Sequence, residues 1–229
     1  MYKNLFFDFD DTLWDTYANS RNAMESLFGG SILSSIYDSF DDWFTPYLEY
    51  NELLWEAYQH GKIEKDQLII DRFLLPLKRK GVDDIEVARE LHRGYLDTVS
   101  EQRAIIPYSI ELLEYLRPKY KLYILSNGFI EVQYRKIENA GMLGFFDDII
   151  LSEHAGVNKP HPDIFTYALT RTASEKHESL MIGDNFDTDI TGAYKVGMDQ
   201  MFYNRKGQTN LSFTPTFEVF GLDEIPRIL

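Results

Sequence analysis

The run Leu5-Phe6-Phe7-Asp8-Phe9-Asp10-Asp11-Thr12-Leu13 constrains this chain more than any other. A short apolar segment with no polar alternation reads as a strand buried on both faces. This one ends in Asp-x-Asp-Asp. Carboxylates are seldom buried unless they are paired or hold a cation. The segment is therefore predicted to be an inner strand whose C-terminal tip carries a charged site. In open parallel α/β sheets that edge is where ligands bind.

The rest of the chain supplies partners for such a strand. From about Tyr17 to Val99, apolar residues recur at helical spacing (Leu53, Leu54, Ala57, Tyr58; Leu68, Ile69, Phe73, Leu74, Leu77), punctuated by Gly29-Gly30, Gly61 and Gly81. This stretch is predicted to be a helical bundle inserted after the first strand. From Pro107 onward, helices and strands alternate. Pro107 suits the first turn of a helix reaching about Arg117. Strand 121–126 and helix 130–140 follow, the helix closed by Gly141. Next come strand 148–152, helix 162–172, strand 180–183, helix 187–196 with Gly197 behind it, strands 200–203 and 217–219, and a tail helix. This alternation implies an α/β fold, a Rossmann-like parallel sheet flanked by helices with right-handed crossovers.

Three further segments stand out, two of them at strand ends like the first. Leu122-Tyr123-Ile124-Leu125-Ser126-Asn127-Gly128 is an apolar run ending in Ser. Asn158-Lys159-Pro160 places a Lys before Pro. Leu180-Met181-Ile182-Gly183-Asp184-Asn185-Phe186-Asp187-Thr188-Asp189 ends a strand in Gly-Asp with a further acid behind it. Together with Asp8-x-Asp10-x-Thr12, these resemble, in order, the four motifs of the haloacid dehalogenase-like (HAD) hydrolases, mostly Mg-dependent phosphatases. The resemblance implies a catalytic core made of residues 1–16 and 100–229, with residues 17–99 forming a helical cap that governs substrate choice.

The resemblance also implies roles. Asp8 is the nucleophile that forms an aspartyl-phosphate. Asp10 protonates the leaving alcohol and then activates water, an acid that true haloacid dehalogenases lack at this position. Ser126 hydrogen-bonds the phosphoryl oxygens, with the backbone N–H groups of Asn127 and Gly128 nearby. Lys159 neutralises charge on the carboxylate and the phosphoryl group. Asp184, with the Asp8 carboxylate and the Asp10 backbone carbonyl, forms an all-oxygen site suited to Mg2+. Asp189 orients Lys159 or a metal-bound water. Thr12 holds its loop through a backbone hydrogen bond and steadies Asp10, while Asp187 is an expected helix N-cap. Trp14 has two readings, a substrate contact or a packing residue. His154 and His161 flank the third motif and read as structural.

Composition narrows the partners. The 229 residues contain no Cys, so neither disulfides nor a thiolate nucleophile is available. The N-terminal apolar run lacks the layout of a signal peptide and no run approaches the about 20 apolar residues of a membrane span, so a cytoplasmic protein is expected. A net charge of −14 argues against a nucleic-acid polymer or an anionic membrane as partner. It also requires a cation and a local Lys to reverse the field wherever an anionic phosphate monoester binds.

For the substrate, Asn51-Glu52-Leu53-Leu54-Trp55-Glu56-Ala57-Tyr58-Gln59-His60-Gly61, Arg72-Phe73 and Leu125-Ser126-Asn127-Gly128-Phe129 resemble the house-cleaning pyrimidine 5′-nucleotidase branch, which acts on nucleoside monophosphates. The chain departs from that branch in having Ser126 for Thr and His154 for an acid. The aromatic residues Trp43, Phe44, Tyr47, Tyr50, Trp55 and Tyr58 offer base-stacking candidates, most of them expected in the core. A small sugar-phosphate or phosphoglycolate-type phosphatase, a phosphomutase, and a non-catalytic binding protein on the same fold are the alternatives.

Overall fold

In the computed structural model, which describes residues 1–229, six short strands pair side by side: β1 (Asn4–Phe7), β2 (Lys121–Ser126), β3 (Asp148–Leu151), β4 (Ser179–Gly183), β5 (Asp199–Tyr203) and β6 (Phe217–Val219). Their order is β3-β2-β1-β4-β5-β6, and every pairing is parallel. The apolar run that opens the sequence is thus the central strand. It is hydrogen-bonded on one side to β2 (Phe7 opposite Ile124) and on the other to β4 (Phe7 opposite Ile182). The chain builds outward from β1 in one direction, then returns to build in the other. That switch leaves a crevice at the C-terminal ends of β1 and β4.

Both sheet faces are covered, which is why these strands read as continuous apolar runs. Phe6, Tyr123, Leu125, Ile150 and Met181 share one face and pack with Ile164, Phe165, Ala168, Ala193 and Met198. The alternate residues Leu5, Phe7, Leu122, Ile124, Leu151, Leu180 and Ile182 are fully buried as well.

The chain divides into two units, Met1–Thr16 with Arg103–Leu229, and Tyr17–Gln102. The second unit is helical, formed by α1 (Thr16–Gly29), α2 (Leu33–Ile36), α3 (Phe40–Gln59), α4 (Lys65–Arg79) and α5 (Ile85–Ser100). Ser39 caps α3 by accepting from the Asp42 N–H, and Asp84 caps α5 by accepting from Glu86 and Val87. Gly61 and Gly81 take positive φ (66° and 81°) just past the ends of α3 and α4, as helix-stopping glycines do. Trp43, Phe44, Tyr47 and Phe73 are buried in this unit, with the Tyr47 and Phe73 rings 5.3 Å apart. They build the core of the bundle, while Tyr50 lies under the Arg79 guanidinium and Trp55 and Tyr58 are half-buried.

The first unit adds α6 (Ser109–Leu116), α7 (Ile130–Asn139), α8 (Ser152–Ala155), α9 (Pro162–Arg171) and α10 (Thr191–Val196). Two expected helix starts move. Pro107 lies ahead of α6, because Tyr108 takes a left-handed conformation (φ 72°) and the helix begins only at Ser109. Asp187 is not a cap. Asn185 fills that position, its Oδ1 accepting from the N–H groups of Asp187 and Thr188 at the mouth of a π-helical turn, Phe186–Ile190. The tail forms a 3₁₀ turn, Leu222–Arg227. No helix is long and apolar enough to cross a membrane.

Helix α10 approaches the Lys159-Pro160 loop closely because residue 192 is glycine. A Cβ there would lie 2.4 Å from the Phe165 ring and 3.2 Å from the Pro160 Cα. Gly192→Ala is therefore expected to cost about 1–3 kcal/mol, the usual penalty for overpacking. Urea unfolding of the variant would show a lowered midpoint; an unchanged midpoint would mean that α9 and α10 separate without cost.

Candidate active site

Asp8 follows the last residue of β1, and its N–H still donates to the Ile182 carbonyl (2.9 Å), so it remains fixed against β4. The chain then curls on itself. Leu13 and Trp14 both donate to the Phe9 carbonyl, and Asp11 donates to the Trp14 carbonyl (2.8 Å). Asp11 closes this turn at φ 64°, a conformation that Asp tolerates better than most residues. Ser126 ends β2, Lys159 lies between α8 and α9, and Asp184 follows the last residue of β4. Four segments far apart in sequence thus meet at one sheet edge.

Lys159 is the hub. Only 2% exposed, its Nζ donates to Asp8 Oδ1, Asp189 Oδ1 and the Leu125 carbonyl, each at 2.7 Å. Its backbone is gripped by Asn127, whose Oδ1 accepts from the Lys159 N–H (2.8 Å) and whose Nδ2 donates to the Lys159 carbonyl (3.0 Å). Asp189 spends its second oxygen on the Asn185 N–H (3.1 Å). It fits beneath β4 because residue 183 is glycine; a Cβ there would lie 2.2 Å from Asp189 Oδ2.

Carboxylate oxygens of Asp8, Asp184 and Asp189 all lie within 4.8 Å of one another. So dense a negative cluster shows in the acids. Burial pushes Asp8 up to about 7, with Lys159 opposing and Asp189 and Asp10 adding to the rise. Burial also raises Asp184 well above the usual carboxylate range, helped by Asp8, Asp189 and Asp11. Burial works to lower Lys159, but Asp189 and Asp8 outweigh it and the ammonium is held more firmly than usual. One lysine does not neutralise three carboxylates. An oxygen-loving divalent cation fits this donor set.

Thr12 steadies Asp184 rather than Asp10. Its Oγ1 accepts from the Asp184 N–H (3.0 Å) and donates to Asp184 Oδ1 (3.4 Å). The reason is topological: Thr12 sits on the β4 side of the turn. The Asp10 carboxylate faces the other way, toward α7. Gln133 Nε2 donates to Asp10 Oδ2 (2.7 Å) and to Ser126 Oγ (3.1 Å), and Lys136 Nζ donates to Asp10 Oδ1. The Gly128 N–H donates to Ser126 Oγ (3.0 Å), and a Cβ at 128 would lie 2.5 Å from the Gln133 amide. Gly128 is needed so that Gln133 can reach both partners.

Gln133 and Lys136 were not among the residues that the sequence singled out. Their signal was there: spaced three apart, they occupy the same inward stripe of α7 as Val132 and Ile137. A further contact, Arg205 Nη1 to the Asp11 carbonyl (3.4 Å), ties the loop after β5 to the turn after β1. Trp14 is buried and stacks on Phe9 (6.1 Å between centroids), as a packing residue does. His154 Nδ1 accepts from the Leu151 N–H and the exposed His161 caps α9, so both histidines serve local structure.

This fold and constellation define a member of a hydrolase family. A model of the haloacid dehalogenase-like hydrolases matches residues 2–197, and the chain belongs to that family. It is 31% identical to a Bacillus subtilis protein described as a HAD-hydrolase, YfnB, over 231 residues (100% of this chain, 95% of that one). It is 30% identical to the pyrimidine 5′-nucleotidase YjjG of Escherichia coli (98% and 96%), and 33% identical to the glyceraldehyde 3-phosphate phosphatase of Pyrococcus abyssi (89% and 82%). The crystal structure of YfnB bound to magnesium superposes with a TM-score of 0.89 at 30% identity, covering 100% of this chain and 98% of that one.

The cluster has a measurable consequence. A carboxyl whose folded pKa is raised binds protons more tightly when folded, so its stabilising contribution is complete below about pH 4, the unfolded value. For Asp8 it is lost as the pH climbs through about 7. In EDTA, the melting temperature should therefore fall between pH 5 and pH 8. Added Mg2+ should restore it, by about 2.7 kcal/mol at a concentration 100 times the dissociation constant. The Mg2+-induced shift should be larger at pH 8 than at pH 5. Equal shifts at both values would detach the acids from the cation.

Proposed function

We propose that this hydrolase is a Mg2+-dependent phosphomonoesterase that works through an aspartyl-phosphate on Asp8, with nucleoside 5′-monophosphates, chiefly pyrimidine ones, as substrates. The observation that carries the chemistry is the buried Lys159 bridge between Asp8 and Asp189, beside Asp184 and opposite the Asp10–Ser126 pair.

Lys159 fixes the rotation of the Asp8 carboxylate and lends it positive charge, so that an anionic phosphoryl group meets less repulsion. Ser126 receives the phosphoryl oxygens. As Asp8 attacks phosphorus, the ester P–O bond breaks and Asp10 gives its proton to the leaving oxygen. In the second half, Asp10 takes a proton from water, the water oxygen bonds to phosphorus, and the bond to Asp8 breaks to release inorganic phosphate. Asp8, Asp184 and the Asp10 backbone carbonyl are the proposed Mg2+ ligands. Asp189, both of whose oxygens are engaged by Lys159 and the Asn185 N–H, supports Lys159 instead. When bound, Mg2+ supplies the charge that draws phosphate into an acidic site.

The substrate class rests on the end-to-end similarity to YjjG and on the Asn51–Gly61 and Leu125–Phe129 segments. The similarity to the Pyrococcus phosphatase supports a second reading, a small sugar-phosphate substrate.

The test is phosphate release with Mg2+ across UMP, dUMP, dTMP, purine monophosphates and sugar phosphates including glyceraldehyde 3-phosphate. Pyrimidine monophosphates are expected to lead the panel; faster sugar-phosphate turnover would replace the substrate and keep the chemistry. Asp8→Asn is expected to remove turnover without unfolding the protein. Activity retained above a few per cent of wild type would remove Asp8 as nucleophile.

A further inference from the structure

We infer that Gln133 and Lys136 of α7 are positioning residues for the acid–base Asp10, a role that rests on the phosphatase reading above and adds two residues to it. Three observations carry it. First, both oxygens of the Asp10 carboxylate are held, Oδ1 by Lys136 Nζ and Oδ2 by Gln133 Nε2 at 2.7 Å. Each oxygen keeps a further lone pair for a travelling proton. Second, the two holders fix each other: Lys136 Nζ donates to Gln133 Oε1 (3.1 Å), and the ammonium lies 3.9 Å above the Trp14 ring. Third, the same Gln133 Nε2 also donates to Ser126 Oγ (3.1 Å), so one nitrogen sets the distance between the proton-transfer group and the phosphate-binding hydroxyl.

The pair is built at a cost. Gln133 is fully buried and Lys136 is 7% exposed on a helix whose other inward residues are apolar. Burying a lysine is unfavourable unless it is paired. A leucine at either position would satisfy the core. What the polar pair adds is direction. Without it, the Asp10 carboxylate is free to swing toward the cluster of Asp8, Asp184 and Asp189, where it would be a fourth acid and no longer stand beside Ser126.

The test separates proton transfer from simple structural support by its dependence on the leaving group. An alkoxide needs a proton as it departs; the phenolate of p-nitrophenyl phosphate does not. Lys136→Met and Gln133→Met are compared with wild type and Asp10→Asn on p-nitrophenyl phosphate and on an alkyl phosphate (UMP, or glyceraldehyde 3-phosphate where that is the faster substrate). Melting curves establish that each variant is folded. Expected for either variant is a loss of about 100-fold or more in kcat/KM for the alkyl ester, in the range that general acid catalysis supplies, with a loss below about tenfold for p-nitrophenyl phosphate. Added to Asp10→Asn, Lys136→Met should cost less than about twofold more, because the two act as one unit.

Equal losses on both esters, or full additivity with Asp10→Asn, would reduce the pair to structural support and overturn the inference. Should Lys136→Met not fold, Gln133→Met alone decides by the same selectivity. Wild-type turnover of p-nitrophenyl phosphate that vanishes in Asp8→Asn secures the phosphatase reading separately. Its absence would remove that reading and this one together.

Discussion

The buried ammonium of Lys159 is the interaction on which the rest of the site depends. A lysine at 2% exposure has almost no water to solvate it, so its stability must come from oxygens supplied by the protein. Those oxygens come from the tip of β1, the end of β2 and the turn after β4, at 2.7 Å each. The bridge thus closes only when the central strands are in register and the π-helical turn is formed. Removing the ammonium would leave Asp8 and Asp189 in a low-dielectric pocket without their counter-ion. Asn127 grips the Lys159 peptide from one side, Asn185 anchors Asp189 from the other, and Gly183 and Gly192 let neighbours come close enough to do so.

The charge balance of the site resolves an apparent conflict in the sequence. A chain of net charge −14 is a poor receptor for a phosphate ester on bulk electrostatics. The local field is no better: Asp8, Asp184 and Asp189 crowd together, and Lys159 is a direct counter-ion to Asp8 and Asp189 alone. Burial displaces Asp8 and Asp184 upward, and the neighbouring acids add to the rise. A site that is acidic before substrate arrives accepts an anion only together with a cation. On the proposed reading the acids do two jobs, one as nucleophile and one in creating the demand for a divalent cation.

The strands and their acidic tips were legible in the sequence because a buried apolar run can end in carboxylates only where something binds their charge. Three of the four segments sit at the C-terminal end of a strand that the alternation of apolar runs had already marked out, and Lys159, in the loop before α9, could be joined to them only by its order in the chain. Harder to read were features decided by side-chain direction. Thr12 serves Asp184, not the nearer Asp10, because the turn after Asp8 folds back on itself and carries residue 12 to the β4 side. Asn185 and Asp187 are both good cap residues two positions apart, and only the π-helical geometry of the turn selects Asn185. Lys136 falls on the inward stripe of α7, but the stripe does not say what it meets there. Its partner, Asp10, is 126 positions away, so local pattern alone could not reveal it.

The residues that meet at the site all belong to one of the two units. Asp8, Asp10, Thr12, Ser126, Gln133, Lys136, Lys159, Asp184 and Asp189 fall within Met1–Thr16 and Arg103–Leu229. The bonds among them are complete without a residue from Tyr17–Gln102. On the proposed reading, reaction type is therefore a property of the sheet edge. In that reading the nucleophile, the proton-transfer group and the charge all act on the phosphoryl group that every monoester shares, not on the alcohol. Substrate choice would then be written in residues that contribute no chemistry. This is why the proposed mechanism rests on distances among the acids, while the proposed nucleotide preference rests on likeness to relatives and on segments outside the constellation.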